Sequence, residues 1–249
     1  METTHKDKPK KKSILLFSGG MDSLMYNYLL NPDILYYVKH GNRYEQMELD
    51  CIQELIDKGI IDKNKVMFDE LPLDKYERDD FIIPNRNLYL ITKATHLGET
   101  IYLGSVKGDR TLDKSIDFFK KCEGMFNYLW QEQHWCEKRQ FNICAPFKHL
   151  TKAELVDFFL SKGGKAEHLF VSKSCYNGDN CGECKPCVRK YIALEYNDIS
   201  TKGYFKHNPN KVKWLLELKD KIVIGEYRGI DEDKEISKVM KWKFKGDKK

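Results

Sequence analysis

The sequence predicts an α/β fold built on a doubly wound, mostly parallel sheet. Three observations predict it: short apolar runs alternate with stretches of helical periodicity, a glycine turn follows the first run, and glycine, proline or asparagine separate the segments. Parallel strands joined by helices are buried on both faces, which explains why the runs are continuously apolar. The chain has 249 residues, 41% of them hydrophobic, and this is enough for one sizeable core.

The strands and helices alternate from residue 13 onward. The apolar run at 13–17 predicts a first strand, and the turn after it leads into a helix that Pro32 ends. Thr151, with Glu154 three residues later, is the pattern of a capping box, so we expect a helix to begin there. The other expected elements are strands at 34–38, 66–71 and 100–104 and helices at 47–59, 88–96, 115–130 and 152–160.

The net charge of +5 is concentrated at the two ends of the chain. Residues 1–12 carry five lysines against Glu2 and Asp7, and residues 241–249 carry five lysines against Asp247, which leaves −2 for the rest. A basic excess limited to the ends usually keeps a protein in solution or attracts anionic molecules weakly and without specificity. We therefore do not expect a nucleic-acid partner. No apolar run approaches the ~18 residues of a membrane span and no signal-peptide core follows the first residues, so a soluble cytoplasmic protein is expected.

A Ser-Gly-Gly turn lies between the first strand and the first helix. The N–H groups of such a turn and the helix N-terminus converge on an anion, the glycines let the backbone approach a phosphate, and two serine hydroxyls add donors. The lysine of a Walker A loop is missing, so cleavage at a γ-phosphate by P-loop chemistry is not expected. The alternative is a tight strand-to-helix turn that binds nothing. The candidate phosphate-loop residues are Phe17, Ser18, Gly19, Gly20, Met21, Asp22, Ser23 and Leu24.

The SGGMDS segment at 18–23 resembles the PP-loop of the ATP pyrophosphatase families. These Rossmann-like enzymes split ATP between its α- and β-phosphates and adenylate a substrate oxygen. The resemblance implies that ATP and Mg²⁺ bind at this loop, where Asp22 would hold the metal or orient the pyrophosphate. On this ground Ser18, Asp22 and Ser23 are the candidate catalytic residues.

Four of the eight cysteines fall within one short segment: Cys175, Cys181, Cys184 and Cys187. Four thiolates at this spacing suit tetrahedral Zn²⁺ with no open coordination position, and such a site is structural rather than catalytic. An iron–sulfur cluster and four unliganded thiols are the alternatives. The other four cysteines are scattered and no signal peptide precedes them, which argues against a secreted disulfide scaffold.

The cysteine segment also resembles the C-terminal signature of the 7-cyano-7-deazaguanine synthase (QueC) family. The resemblance extends over about residues 13–195 in the family's order, but the loop at 109–118 is shorter and lacks the family's Tyr-Pro-Asp-Cys element. The segments that carry it are SCYNG at 174–178, CGECKPCVR at 181–189, HGNRYE at 40–45, PNRN at 84–87, Pro146, and KAE at 152–154.

The resemblance implies an ATP-dependent ligase. The carboxylate of 7-carboxy-7-deazaguanine would attack the α-phosphate of MgATP, ammonia would convert the acyl adenylate to the amide, and a second ATP would convert the amide to the nitrile. Positive side chains would offset the pyrophosphate charge, and carboxylates would accept hydrogen bonds from the guanine-like ring; a solvated charge or a local cap is the alternative for each. The predicted substrate-binding residues are Arg43, Arg86, Asn87, Lys107, Asp109 and Asp113. A homodimer is expected.

Two other hypotheses remain open. The first keeps the adenylation but changes the acceptor: a QueC-like paralogue would stop at the amide or join the acid to a macromolecular amine, as in phage or defence settings. The altered loop at 109–118 and the long tail motivate it. The second is a non-catalytic zinc-ribbon module that binds nucleic acid through its lysine-rich ends.

We divide the chain into four segments on these patterns. They are a basic disordered arm at 1–12, an ATP-binding α/β domain at 13–170, a small zinc-binding helical region or knuckle at 171–195, and a C-terminal extension at 196–249 that packs on the domain. Trp214, Leu215, Leu216 and Leu218 predict an amphipathic helix in the extension.

Overall fold

The computed structural model of the protein describes residues 11–246. Most of the predicted basic arm, residues 1–10, and the last three residues of the predicted extension lie outside this range. The strands are β1 (Ser13–Leu16), β2 (Ile34–Lys39), β3 (Val66–Glu70), β4 (Thr100–Leu103) and β5 (Asn142–Cys144). The longer helices are α1 (Met21–Leu30), α2 (Glu45–Asp57), α3 (Arg86–Ala94), α4 (Ile116–Leu129), α5 (Lys152–Ser161), α7 (Lys185–Tyr196) and α10 (Ile230–Val239). The shorter ones are α6 (Ala166–Val171), α8 (Lys213–Glu217) and α9 (Lys219–Ile222).

The strands form one parallel sheet in the order β3-β2-β1-β4-β5. Ile14 of β1 lies opposite Ile34 of β2 on one side and Ile101 of β4 on the other. The chain moves from β1 to β2 and β3 in one direction and then returns to add β4 and β5 in the other. This reversal confirms the predicted doubly wound parallel sheet, and it opens a crevice beyond the carboxyl ends of β1 and its neighbours.

The core of the sheet explains the continuous apolar runs. Ile14, Leu15, Leu35 and Ile101 are fully buried because helices cover both faces of the sheet. Tyr26 of α1 is also fully buried, and its hydroxyl donates to the carbonyl of Ser105 at 2.5 Å. The first helix is thereby fixed against the loop that follows β4.

The predicted capping box at the start of α5 is confirmed. The Thr151 hydroxyl accepts from the N–H of Glu154 at 3.1 Å, and the Glu154 carboxylate accepts from the N–H of Thr151 at 2.7 Å. Thr151 is fully buried and its hydroxyl also donates to the carboxylate of Glu235 in α10. The same side chain therefore begins one helix and anchors another.

We expect removal of the buried Thr151 hydroxyl to destabilise the protein more than removal of a more exposed cap. Ser115 is the matched case, because its hydroxyl accepts from the N–H of Phe118 at 3.1 Å and donates to the carbonyl of Leu112 at 2.7 Å but is partly exposed. Thr151→Ala should lower the free energy of unfolding by about 2 kcal/mol and Ser115→Ala by about 1 kcal/mol. Urea denaturation measures both values, and equal losses would contradict a stabilising contact with Glu235.

A second apolar cluster joins α7 to the C-terminal segment. Val188 and Ile192 of α7 pack with Leu215, Ile222 and Ile236. The predicted amphipathic helix corresponds to α8, which ends just before Leu218. Within residues 11–246, every helix falls short of the length and apolar character that crossing a bilayer requires.

Candidate functional site

The predicted phosphate loop joins the carboxyl end of β1 to the first turn of α1. Gly19 has a positive φ of 71°, and a Cβ there would lie 3.2 Å from the Cys51 Sγ, so the turn favours glycine at this position. Gly20 caps α1 without a side-chain hydrogen bond. The N–H groups of this first turn are thus available to an anion, apart from a long 3.5 Å contact from Met21 to the Ser174 hydroxyl.

A cleft of about 210 Å³ opens beside the loop. Its walls come from the end of β2, the first turns of α2 and α3, and the loop after β4. Six of the eight predicted loop residues line it, and Gly19 and Leu24 are outside the lining. The lining residues include Ser18, Gly20, Asp22, Ser23, Tyr36, Tyr37, His40, Glu48, Arg86, Asn87, Lys114 and Ser174.

Asp22 forms an ion pair with Lys152, the first residue of α5. Lys152 is only 9% exposed, and this burial lowers the pKa of its ammonium group while the charge of Asp22 opposes the shift. The pair places one cation and one carboxylate next to the phosphate loop. Lys152 was absent from the predicted site residues, although it belongs to the KAE segment that supports the family resemblance.

Asp109 lies in a buried ion-pair network rather than in the cleft. Its Oδ1 accepts from Arg189 at 2.9 Å and its Oδ2 from Lys114 at 3.3 Å. Arg189 also donates to Glu232 at 3.1 Å, and Arg228 donates to the same oxygen at 2.7 Å. Burial favours a higher pKa for Asp109, but the charges of Lys114, Arg189 and Lys152 outweigh it and hold that pKa below its usual range. Both carboxylate oxygens are therefore used within the protein.

Three other predicted substrate residues also lie outside the cleft lining. Arg43 donates to Glu77 at 2.8 Å and stacks on the ring of Phe81 at 4.0 Å from its centroid. Lys107 pairs with Asp231 of α10. Asp113 contributes its backbone carbonyl, which accepts from the Asn87 side chain at 3.2 Å. Of the predicted substrate residues, the structure brings Arg86 and Asn87 together at the cleft.

Glu48 is a further carboxyl in the cleft wall that is absent from the predicted site residues. The Tyr37 hydroxyl donates to its Oε2 at 2.9 Å. Burial raises the pKa of Glu48 to about 7, although the charge of Arg86 and the Tyr37 hydrogen bond both act to lower it. A signal was present, because Glu48 lies four residues before Ile52 and seven before Leu55 on the buried face of α2.

We expect the stability that Glu48 contributes to fall as the pH rises. Its folded pKa of about 7 exceeds its ordinary value of 4.5, so between these pH values the folded protein binds more protons at this group than the unfolded chain does. The contribution is full below pH 4.5 and is lost as the pH passes 7. The isosteric Glu48→Gln variant lacks this titration and keeps a neutral group beside Tyr37, Glu45 and Arg86.

Chemical denaturation of both proteins from pH 4.5 to 8 measures the effect. The free energy of unfolding of the wild type should drop relative to that of Glu48→Gln by about 1–3 kcal/mol across this range. A difference that stays constant with pH would mean that the folded state does not shift the titration of Glu48.

The four clustered cysteines converge as their spacing predicts. Their sulfur atoms all lie within 4.8 Å of one another, and Cys175 and Cys187 are almost fully buried. Tetrahedral Zn²⁺ with Zn–S distances of about 2.3 Å needs sulfurs about 3.8 Å apart, so small rearrangements would bring them onto one ion. Backbone N–H groups of Asn177 and Cys181 point at the Cys175 Sγ at 3.4 and 3.3 Å. Such N–H···S contacts stabilise thiolate charge, so the donor set fits a thiolate-bound metal.

The cysteine cluster is joined to the cleft through the chain itself. Ser174, which lines the cleft beside Met21, directly precedes Cys175. Cys184 is the N-terminal cap of α7, and the same helix carries Arg189 into the ion-pair network with Asp109. A metal bound at the cluster would therefore hold one edge of the cleft in place.

Comparisons with known proteins agree with these motifs. 7-Cyano-7-deazaguanine synthase of Campylobacter jejuni subsp. doylei is 24% identical over 237 residues, which cover 79% of this chain and 99% of the relative. The enzyme of the same name from Chlorobaculum tepidum is 28% identical over 230 residues, covering 80% of this chain and 98% of the relative.

A solved structure, the U34-tRNA thiolase NcsA from Methanococcus maripaludis with its 4Fe–4S cluster, aligns with 84% of this chain and 74% of its own. The TM-score is 0.36 and the identity 14%, values too low to bear on the metal or the reaction of this protein. The family model described as "Queuosine biosynthesis protein QueC" matches residues 36–198, which is more than half of the chain. With its glycine loop, its cysteine cluster and this match, the chain belongs to the QueC family.

Proposed function

We propose that the chain is an ATP-dependent ligase of the 7-cyano-7-deazaguanine synthase type. It adenylates the carboxylate of 7-carboxy-7-deazaguanine and, with ammonia, forms first the amide and then the nitrile. The observation that carries the proposal is the uncapped glycine loop at the start of α1, with Asp22 in the lining of the cleft and Lys152 paired to it. The relatives that match most of this chain are named for the same product.

The loop and its neighbours would stabilise the charge that moves during adenylation. The N–H groups of the first turn of α1 and the Ser18 hydroxyl would surround a bound phosphate, while the Ser23 hydroxyl donates to the carbonyl of Gly20 at 3.0 Å and supports the turn. Asp22 would hold Mg²⁺, which would neutralise phosphate charge when bound. Lys152 adds a fixed cation that offsets the charge of the leaving pyrophosphate.

The proposed reaction needs positioning more than side-chain chemistry. A carboxylate oxygen attacks the α-phosphorus, the bond to the bridging oxygen breaks, and pyrophosphate leaves with the electron pair. Ammonia then attacks the acyl carbon and loses a proton as AMP departs. The amide oxygen attacks a second ATP in the same way, and loss of both N–H protons and of AMP, which keeps the amide oxygen, gives the nitrile. Arg86 and Asn87, which line the cleft from the start of α3, would orient the acid.

The bound metal is proposed to be structural Zn²⁺, held by the four clustered cysteines. Four soft thiolates leave no open position for substrate, so the ion would supply folding free energy and not catalysis. The four-segment division of the chain and the homodimer remain predictions. The proposed partners are small molecules: ATP, ammonia and the deazaguanine acid.

Incubation with ATP, Mg²⁺, 7-carboxy-7-deazaguanine and ammonia tests the proposal. AMP and pyrophosphate are followed together with the mass of the product, and two AMP per nitrile is the expected result. Release of ADP, or no turnover of ATP with the acid present, would contradict it.

One observation favours a second candidate, in which the enzyme stops at the amide or uses a macromolecular amine. Asp109, in the altered loop, has both oxygens engaged by Arg189 and Lys114 and is withdrawn from the cleft. One AMP per amide, with no nitrile at long times, would support this candidate over the first. Salt-dependent nucleic-acid binding without ATP turnover would instead support the zinc-ribbon hypothesis.

A further inference from the structure

We propose that Glu48 is a specificity-determining residue whose carboxylate accepts hydrogen bonds from the ring N–H and the adjacent amino group of a guanine-type ring bound in the cleft. This inference rests on the proposed function, because it assigns a partner for the ring of the deazaguanine acid. It adds a residue that neither the PP-loop nor the cysteine motif contains.

The position of Glu48 in the cleft is the first support. Glu48 lies in the first turns of α2, and its side chain lines the same cleft as the phosphate loop and Arg86. A ring whose carboxylate reaches the α-phosphate position would extend along this wall. Glu48 can therefore contact the ring without contacting the reacting atoms.

The hydrogen bonding of Glu48 is the second support. Tyr37 donates to Oε2 at 2.9 Å and fixes the carboxyl on the cleft wall. Among residues 11–246 no side chain or backbone group donates a hydrogen bond to Oε1. A carboxylate oxygen has two lone pairs, so Oε1 and the second lone pair of Oε2 remain for a ligand.

The charge of the site selects the type of ring. With Arg86 nearby and a pKa of about 7, Glu48 is largely ionised at pH 8 and then only accepts hydrogen bonds. A guanine-type ring presents a ring N–H and an adjacent amino group, which match two acceptors. An adenine ring presents a ring-nitrogen acceptor beside its amino group, and that nitrogen would face the carboxylate lone pairs. The arrangement thus favours the deazaguanine ring over the adenine of ATP.

Titration calorimetry at pH 8 with 7-carboxy-7-deazaguanine and its analogue lacking the 2-amino group tests the inference without turnover. The wild type should bind the parent acid about 10–100-fold more tightly than the analogue, because hydrogen bonds to a charged group contribute about 1.5–3 kcal/mol. Glu48→Gln should bring the ratio close to one. Glu45→Gln is the matched control, since Glu45 accepts from the N–H of Gly41 at 2.7 Å and lies outside the cleft lining.

Steady-state kinetics separates this inference from the proposed function. If the wild type forms product, Glu48→Gln should raise KM for the acid about 10–100-fold and leave KM for ATP unchanged. A raised KM for ATP alone, or an unchanged preference for the 2-amino group in either assay, would overturn the assignment while the ligase remains. Ring discrimination through Glu48 without any AMP release would keep the assignment and overturn the proposed reaction. Failure of the wild type to bind either ring would overturn the assignment outright.

Discussion

Asp22→Asn is expected to lower the rate of AMP formation by about 10²–10³-fold, the usual effect of removing one group that stabilises charge in a transition state. The change is isosteric, so the variant should fold, but it removes the carboxylate that pairs with Lys152 and is proposed to hold Mg²⁺. Ser18→Ala should act in the same direction. The initial rate of AMP release with saturating ATP measures the loss.

Asp57→Asn is a suitable control for this prediction. Asp57 ends α2 and accepts from Gln53 at 2.7 Å in an exposed position, so the same chemical change is made away from the cleft. It should leave the rate unchanged. AMP formation near the wild-type rate in both Asp22→Asn and Ser18→Ala would contradict the assignment of the phosphate loop.

Replacement of any one of the four clustered cysteines is expected to lower metal content and thermal stability together. The free energy of binding a structural metal is about 10–16 kcal/mol and is largely folding free energy, because the unfolded chain has no formed site. Even partial loss should therefore lower Tm by about 10 °C or more in a chain of this size. Cys187→Ser is the clearest variant, since Cys187 is almost fully buried and lies in the first turn of α7.

Cys136→Ser provides the comparison for the metal prediction. Cys136 lies outside the cluster, and its thiol donates to the carbonyl of Gln131 at 3.5 Å. This variant should keep one zinc per chain by elemental analysis. Iron in the purified protein, together with visible absorption, would show that the four cysteines hold an iron–sulfur cluster and not zinc. A wild type purified without chelator that carried no metal would contradict the metal centre altogether.

Local patterns predicted the parts of this protein that depend on local structure. The glycine turn after β1 and the capping box of Thr151 and Glu154 are determined by a few adjacent residues, and the structure has both the turn and the box. The parallel sheet followed from the apolar runs. Cysteine spacing likewise predicted the convergence of four thiols, since short loops leave them no room to separate.

Features that depend on distant parts of the chain were not predicted. Strand β5 has three residues and a single buried apolar side chain, Ile143, so its sequence lacks a strand pattern. It is a strand because β4 provides a pairing edge. Lys152 lies 130 positions from Asp22 in the sequence, and only the packing of α5 against α1 brings the pair together.

Positive charge alone does not place a side chain in the lining of the cleft. Arg43 and Lys107 were chosen because positive charges suit a pyrophosphate, yet the fold pairs them with Glu77 and Asp231. Nothing in the local sequence distinguishes these pairs from a ligand site. Glu48 was detectable in principle, because an acidic residue on the buried face of an amphipathic helix needs a compensating partner.

Transfer of ¹⁸O from the substrate to AMP tests the central claim most directly. If the carboxylate attacks the α-phosphorus, then 7-carboxy-7-deazaguanine labelled with ¹⁸O at both carboxylate oxygens must pass one ¹⁸O to each AMP released in the presence of ammonia. Mass spectrometry of the AMP is expected to show a single label in every molecule formed during turnover. Unlabelled AMP, or ¹⁸O found in inorganic phosphate beside ADP, would contradict adenylation of the acid by this protein.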